Sequence, residues 1–124
     1  MKQIAAALSA FFGGFSLAAY PEDGVPEADD VAARLPYITY PLVKPVWDEP
    51  AAIAARVWAH DEGYAFVAAK ADEIVAAVGE GVLLPAGEGY VCLRPASPCV
   101  QMEDSGEREL KAACVSMMLS AYTL

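Results

Sequence analysis

Residues 110–124 read LKAACVSMMLSAYTL, and whether they form a helix or a strand decides the fold. Leu110, Ala113, Cys114, Met117, Met118 and Ala121 recur at steps of three and four, the spacing of one helix face. A strand would instead set Cys114, Ser116, Met118, Ser120 and Tyr122 on one side. Local pattern alone favours the helix, so the choice has to come from the rest of the chain.

Immediately upstream, QMEDSGERE is a hydrophilic turn that gathers Glu103, Asp104, Glu107 and Glu109. It lacks the regular oxygen-ligand spacing of a calcium loop and reads as solvated. Before it, residues 82–85 and 90–95 flank the glycine-rich AGEG, which predicts a β-hairpin, and residues 99–102 extend or follow it after the Pro98 bend. Residues 64–79, YAFVAAKADEIVAAVG, form the best helical pattern in the chain. There Phe66, Ala69, Ile74, Ala77 and Val78 are expected to share the buried face, and Gly79 and Gly81 to close the helix.

Two strands are expected further upstream. Residues 35–47, LPYITYPLVKPVW, are rich in aromatic and β-branched residues, but Pro36, Pro41 and Pro45 each remove a ladder donor, so an edge or bulged strand is the consistent reading. After a turn at 48–50, AAIAARVWAH predicts a strand with Ile53 and Val57 on one face and Arg56 and Trp58 on the other, pairing back on the first as a long hairpin. The acidic, proline-punctuated residues 21–30, PEDGVPEADD, read as an exposed connection.

The first twenty residues, MKQIAAALSAFFGGFSLAAY, admit two readings. Lys2, an apolar middle and Ala18 and Ala19 are compatible with a signal peptide, which would make the rest a small secreted binding protein. Against that, Ile4, Leu8, Phe11, Phe12 and Phe15 follow the spacing of one helix face, and the amphipathic helix, ended by Gly13 and Gly14, is the favoured reading. No stretch reaches the roughly 20 apolar residues of a membrane span.

At 124 residues the chain has room for one domain, 1–124, with one core. Its hydrophobic fraction of 56% exceeds the usual figure of about 45–50%, and much of the excess is alanine, which packs closely but fills little volume. Such a core needs a few large residues or neighbouring subunits to complete it. Eight Lys+Arg against seventeen Asp+Glu give a net charge of −9, which repels phosphate polyanions and argues against ordinary nucleic-acid binding. Cys92, Cys99 and Cys114 lack metal-ligand spacing and read as buried thiols in a reducing compartment.

Chemistry-bearing constellations are not evident. The chain contains no GxSxG, HExxH or Walker loop, and the glycines of GEGVLLPAGEG are not ordered as a phosphate cradle. His60, beside Asp61 and Glu62, could be written as the general base of a small hydrolase, but a surface histidine in an acidic turn is the simpler reading. The expectation is therefore a non-catalytic protein without metal or cofactor. Its aromatic residues Tyr37, Tyr40, Trp47 and Trp58, gathered around the expected long hairpin, are the candidates for a subunit interface.

The order helix, acidic loop, proline-marked hairpin, helix, short hairpin, terminal segment resembles the tail-terminator and tail-completion proteins of long-tailed bacteriophages. The likeness is carried by LPYITYPLV at 35–43, AFVAAKADEIVAAVGEGV at 65–82 and CVQMEDSGERELKAACVSMMLSAYTL at 99–124. The alanines at 51, 52, 54 and 55 depart from that pattern. The resemblance implies an α+β fold with a mixed, mostly antiparallel sheet, helices packed on one side, and a terminal strand at 110–124, which overrules the helical periodicity there. It also implies a virion protein, assembled in the bacterial host cytoplasm, that forms a cyclic homo-oligomer, commonly a hexamer. Such a ring caps the tail tube protein, joins a head-completion or connector protein, and lets DNA pass without specific binding; no membrane is involved. On that reading Glu103, Asp104, Glu107 and Glu109 are candidates for an acidic lumen or rim that repels phosphate. A connector on the portal side is the neighbouring alternative.

Overall fold

The computed structural model describes residues 2–22, 35–43, 49–60, 64–104 and 110–123. Among these residues two helices, α1 (Lys2–Phe12) and α2 (Ala65–Val78), accompany six strands: β1 (Ala18–Pro21), β2 (Tyr37–Tyr40), β3 (Ala51–His60), β4 (Val82–Ala86), β5 (Gly89–Asp104) and β6 (Leu110–Thr123). The strands lie in the order β1-β2-β3-β6-β5-β4, with β1 and β2 parallel and every other pair antiparallel. The chain is thus α+β, a mixed sheet curled into a half-barrel with two helices.

The segment that decides the fold is a strand. β6 pairs with β3 from Leu110 to Leu119 and with β5 over nearly its whole length, so both of its ladders are filled. Ala113, Val115, Met117 and Leu119 face the main core, while Cys114, Ser116, Met118, Ser120 and Tyr122 take the other face. Helical spacing loses here because an isolated amphipathic helix satisfies only its own backbone. In this fold the same residues, read with a period of two, fill the gap between two strands.

Both helices cover the inner face. Ile4, Ala7, Leu8 and Phe12 of α1 and Val67, Ala71, Ile74 and Val78 of α2 join Ile53, Ala55 and Val57 of β3 and Val91 and Leu93 of β5 in one cluster. Phe15, in the 3-10 turn Gly13–Phe15 that follows α1, closes one end of it, and its carbonyl accepts a hydrogen bond from Lys70 Nζ at 2.8 Å. α1 is therefore a working layer of the core, as its periodicity anticipates. Buried alanines, Ala71 on α2 and Ala113 on β6 among them, let helix and sheet approach closely. No described helix is long and apolar enough to cross a membrane.

Several expectations need correction. The buried face of α2 is rotated: Val67, Ala71, Ile74 and Val78 point inward, and Phe66, Ala69 and Ala77 are exposed. The observed set keeps a clean step of four, three and four, whereas the expected one straddled two faces. The expected long strand at 35–47 is only Tyr37–Tyr40, held between Pro36 and Pro41, and it lies inside the sheet rather than at its edge. Its residues between the prolines keep their N–H groups, so pairing on both sides is open to them. β3 does pair back on β2 in antiparallel fashion, as expected, but over only three residue pairs, and the long hairpin is β5 with β6. The edge strand β1 went unforeseen, because AAYP is four residues long, ends in proline and shows no apolar alternation. It displaces Pro21 from the expected connection, most of which lies outside the described residues.

Two local features shape the β4 edge. The hairpin turn is Gly87–Glu88, with Gly87 at φ +62°, and a Cβ there would collide with the Gln3 carboxamide of α1. Because Ala86 and Gly89 flank a two-residue turn, they form the hydrogen-bonded pair, and Pro85 with Tyr90 forms the non-bonded one. Proline therefore costs no ladder bond here, and it removes an outward donor from the open edge. In β5, residues 96–99 stand opposite the single Ser116 of β6, a bulge that bends the strand and helps curl the sheet.

Candidate functional site

The side of the sheet turned away from the helices carries the main polar cluster among the described residues. Strand parity brings Arg56 of β3 level with Cys114 of β6 and Thr39 of β2. Arg56 Nε donates to both carboxylate oxygens of Glu103, at 3.3 and 3.2 Å, and its Nη1 donates to Glu22 Oε1 at 3.4 Å. One guanidinium thus ties β3 to β5 and to the end of β1, a geometry that its planar fork suits. Trp58 Nε1 donates to Thr39 Oγ1 at 2.9 Å, joining β3 to β2 beside the cluster.

The electrostatics follow from this packing. Burial pulls the Arg56 guanidinium toward the neutral form, but the Glu103 hydrogen bond and the negative neighbours outweigh it and hold its pKa above the usual value. Burial pushes the Cys114 thiol up, and Arg56 opposes this only in part. Cys114 is therefore a protonated structural thiol and not a primed nucleophile. Among the described residues no group of three or more His, Cys, Asp or Glu side chains could hold a metal ion. His60 ends β3, exposed and opposite Leu110.

The three cysteines are free, and Cys99, in the β5 bulge, is only half-buried while Cys92 and Cys114 are buried. The expectation of three buried thiols holds for two of them. Brief alkylation at neutral pH should modify Cys99 first, read by peptide mass, with Cys92 and Cys114 following only as the protein opens. Because the folded protein holds the Cys114 proton more tightly than the unfolded chain, its contribution to stability is present below the ordinary thiol pKa. It is lost as pH rises through the folded value. The urea midpoint should accordingly fall more steeply in alkali for the native chain than for Cys114→Ala.

The other notable region of this outer face is apolar. Leu83 is 62% exposed, Tyr122 47% and Tyr90 41%. Tyr90 pairs with Tyr122 across β5 and β6, and Leu83 pairs with Cys92, so all three project from the same side as Arg94. Leu83, Cys92 and Arg94 line one shallow depression with Glu80 and Gly81; Tyr90 and Pro85 line a second with the turn residues. Clustered exposed tyrosine and leucine beside an arginine have the composition of a protein contact surface.

The residues singled out from sequence are placed as follows. Tyr40 is 2% exposed with its ring stacked on Phe12 at 5.2 Å, so it belongs to the core and presents no contact surface. Tyr37 is half-buried and edge-on to Tyr20 at 5.9 Å, Trp58 is engaged with Thr39, and Trp47 lies outside the described residues. Of the acidic set, Glu103 is tied to Arg56 and is not a freely presented carboxylate; Asp104 ends β5, and Glu107 and Glu109 lie outside the described residues. The exposed trio was missed because it is assembled from three strands. The side of 110–124 bearing Cys114 to Tyr122 was its one sequence signal, and that is the outer face. Comparison with descriptions of protein families, with curated proteins and with solved structures finds no match to this chain.

Proposed function

We propose that this chain is a non-catalytic structural subunit that assembles into a cyclic ring, and that the ring caps a phage tail tube and provides its joint to the head. The observation that carries the reading is residues 110–123 lying as a strand inside the sheet, where local periodicity favoured a helix and the phage resemblance a strand. The exposed Leu83, Tyr90 and Tyr122 add a surface suited to a neighbouring subunit. A net charge of −9 suits a lumen through which DNA slides without sticking, since carboxylates repel phosphate.

Closure of a ring requires two different surfaces on each subunit that meet head to tail. Light scattering coupled to size exclusion across a concentration series tests this directly. A discrete closed species near six times 13.1 kDa is expected, and purified tail tubes incubated with it should stop elongating, as seen by electron microscopy. Tubes that lengthen normally in the presence of a saturating amount of the protein would refute the capping role.

A further inference from the structure

We infer that the outer-face patch of Leu83, Tyr90, Tyr122 and Arg94 receives the exposed face of α2 from a second copy of this chain, an inference that rests on the ring reading and specifies its contact. The starting point is charge. Two copies at −9 repel each other, so a self-contact needs a local cation to offset that repulsion. Among the described cations, Arg56 is paired with Glu22 and Glu103, Lys70 with Glu73, Lys111 lies over the Tyr64 ring, and Lys2 belongs to α1, on the other side of the sheet from the patch. Arg94 is exposed, forms no ion pair among the described residues, and stands at the end of the apolar patch away from the two tyrosines, in a depression it shares with Leu83 and Glu80. Arginine and tyrosine together are the residues that most often anchor protein contacts.

The complementary surface is on the opposite side of the molecule. α2 packs on the inner side of the sheet through Val67, Ala71, Ile74 and Val78, which leaves Phe66, Ala69, Asp72, Glu73 and Ala76 facing out. These five lie within one outward arc, where alanines give a flat surface, Phe66 a knob, and Asp72 and Glu73 the negative charge. The dimensions agree: Tyr90 and Arg94 are about 13 Å apart along β5, and Phe66 and Glu73 about 10 Å apart along α2. Phe66 can therefore sit on the two tyrosines while Arg94, a long side chain, reaches Asp72. Because patch and helix lie on opposite sides, the contact is head to tail, the kind that closes into a ring when the rotation between neighbours returns to its start, as a patch that pairs with itself would not. Pro85, which removes an outward donor from the β4 edge, argues for face contact over strand addition.

The experiment is charge exchange read by light scattering at matched concentrations, with circular dichroism to verify folding. Both Arg94 and Asp72 are exposed, so Arg94→Glu and Asp72→Arg should fold normally and each weaken assembly about tenfold or more. The double variant Arg94→Glu/Asp72→Arg restores opposite charges between neighbours and should regain most of the assembly. If the native chain forms a closed ring that both single variants leave unchanged, the ring reading stands and this contact is wrong. If the native chain stops at a dimer that Arg94→Glu abolishes and the double variant does not rescue, the patch pairs with itself and both readings fail. A native chain that stays monomeric at every concentration overturns this contact, while the tail-tube assay still judges the capping role separately.

Discussion

Replacing Phe12 by alanine is expected to cost about 3–5 kcal/mol, a large part of the roughly 5–15 kcal/mol that stabilises a domain of this size. Phe12 is fully buried, stacked on Tyr40 at 5.2 Å and edge-on to Phe11 at 5.0 Å, so it fastens α1 to β2. The cost combines the lost transfer of a phenyl group from water with the cavity left behind, since a close-packed interior relaxes only in part. Urea unfolding checks it through a lowered midpoint at unchanged slope. Phe11, only partly buried against the same cluster, supplies the comparison and should lose about half as much on truncation. Equal losses at both positions would mean that α1 does not dock through Phe12.

The second large effect tests the strand at the C-terminus through neighbouring methionines. Met117 is 1% exposed and faces the core; Met118 is half-buried on the outer face, opposite Ala52 and Arg94. Met117→Glu places a carboxylate in the apolar interior and is expected to cost more than about 3 kcal/mol, enough to unfold much of the population at room temperature. Met118→Glu puts the same charge beside an arginine at the surface and should change stability by less than about 1 kcal/mol. Thermal melts of the two variants decide the matter. On a helix the two positions share the apolar face and both would fail, so comparable large losses would contradict the strand.

Much of the fold was legible because several segments carry a single unambiguous pattern. α1 was readable from Ile4, Leu8 and Phe12; β3 from the alternation of Ile53 and Val57 with Arg56 and Trp58; the short hairpin from its glycines. In each case one periodicity fits and its rival does not. α2 was legible as a helix but not in its orientation. A helix with alanine on every side offers little contrast, and the sheet's need for Val67 and Ile74 chose the inward face.

The candidate contact surface was less legible than the fold. Tyr37, Tyr40 and Trp58 were sound as aromatic residues near paired strands, yet Tyr40 and Trp58 are committed within the chain, to Phe12 and Thr39. The exposed trio comes from positions 83, 90 and 122, whose common side depends on the registers of β4, β5 and β6. Glu103 likewise read as a solvated carboxylate until pairing set it beside Arg56, 47 residues earlier in the chain.

What the sequence determined by itself is local: where helices start and stop, which residues of β3 alternate, where glycine turns the chain, and the −9 charge that makes phosphate an unfavourable partner. These depend on neighbours within a few positions and on sums over the chain. Only the tertiary structure decided that residues 110–123 are a strand, that β2 lies inside the sheet, and which aromatic residues remain exposed. The physical reason is that strand pairing satisfies backbone groups from distant segments. A residue's face and exposure in a sheet therefore depend on partners that its own stretch of sequence does not contain.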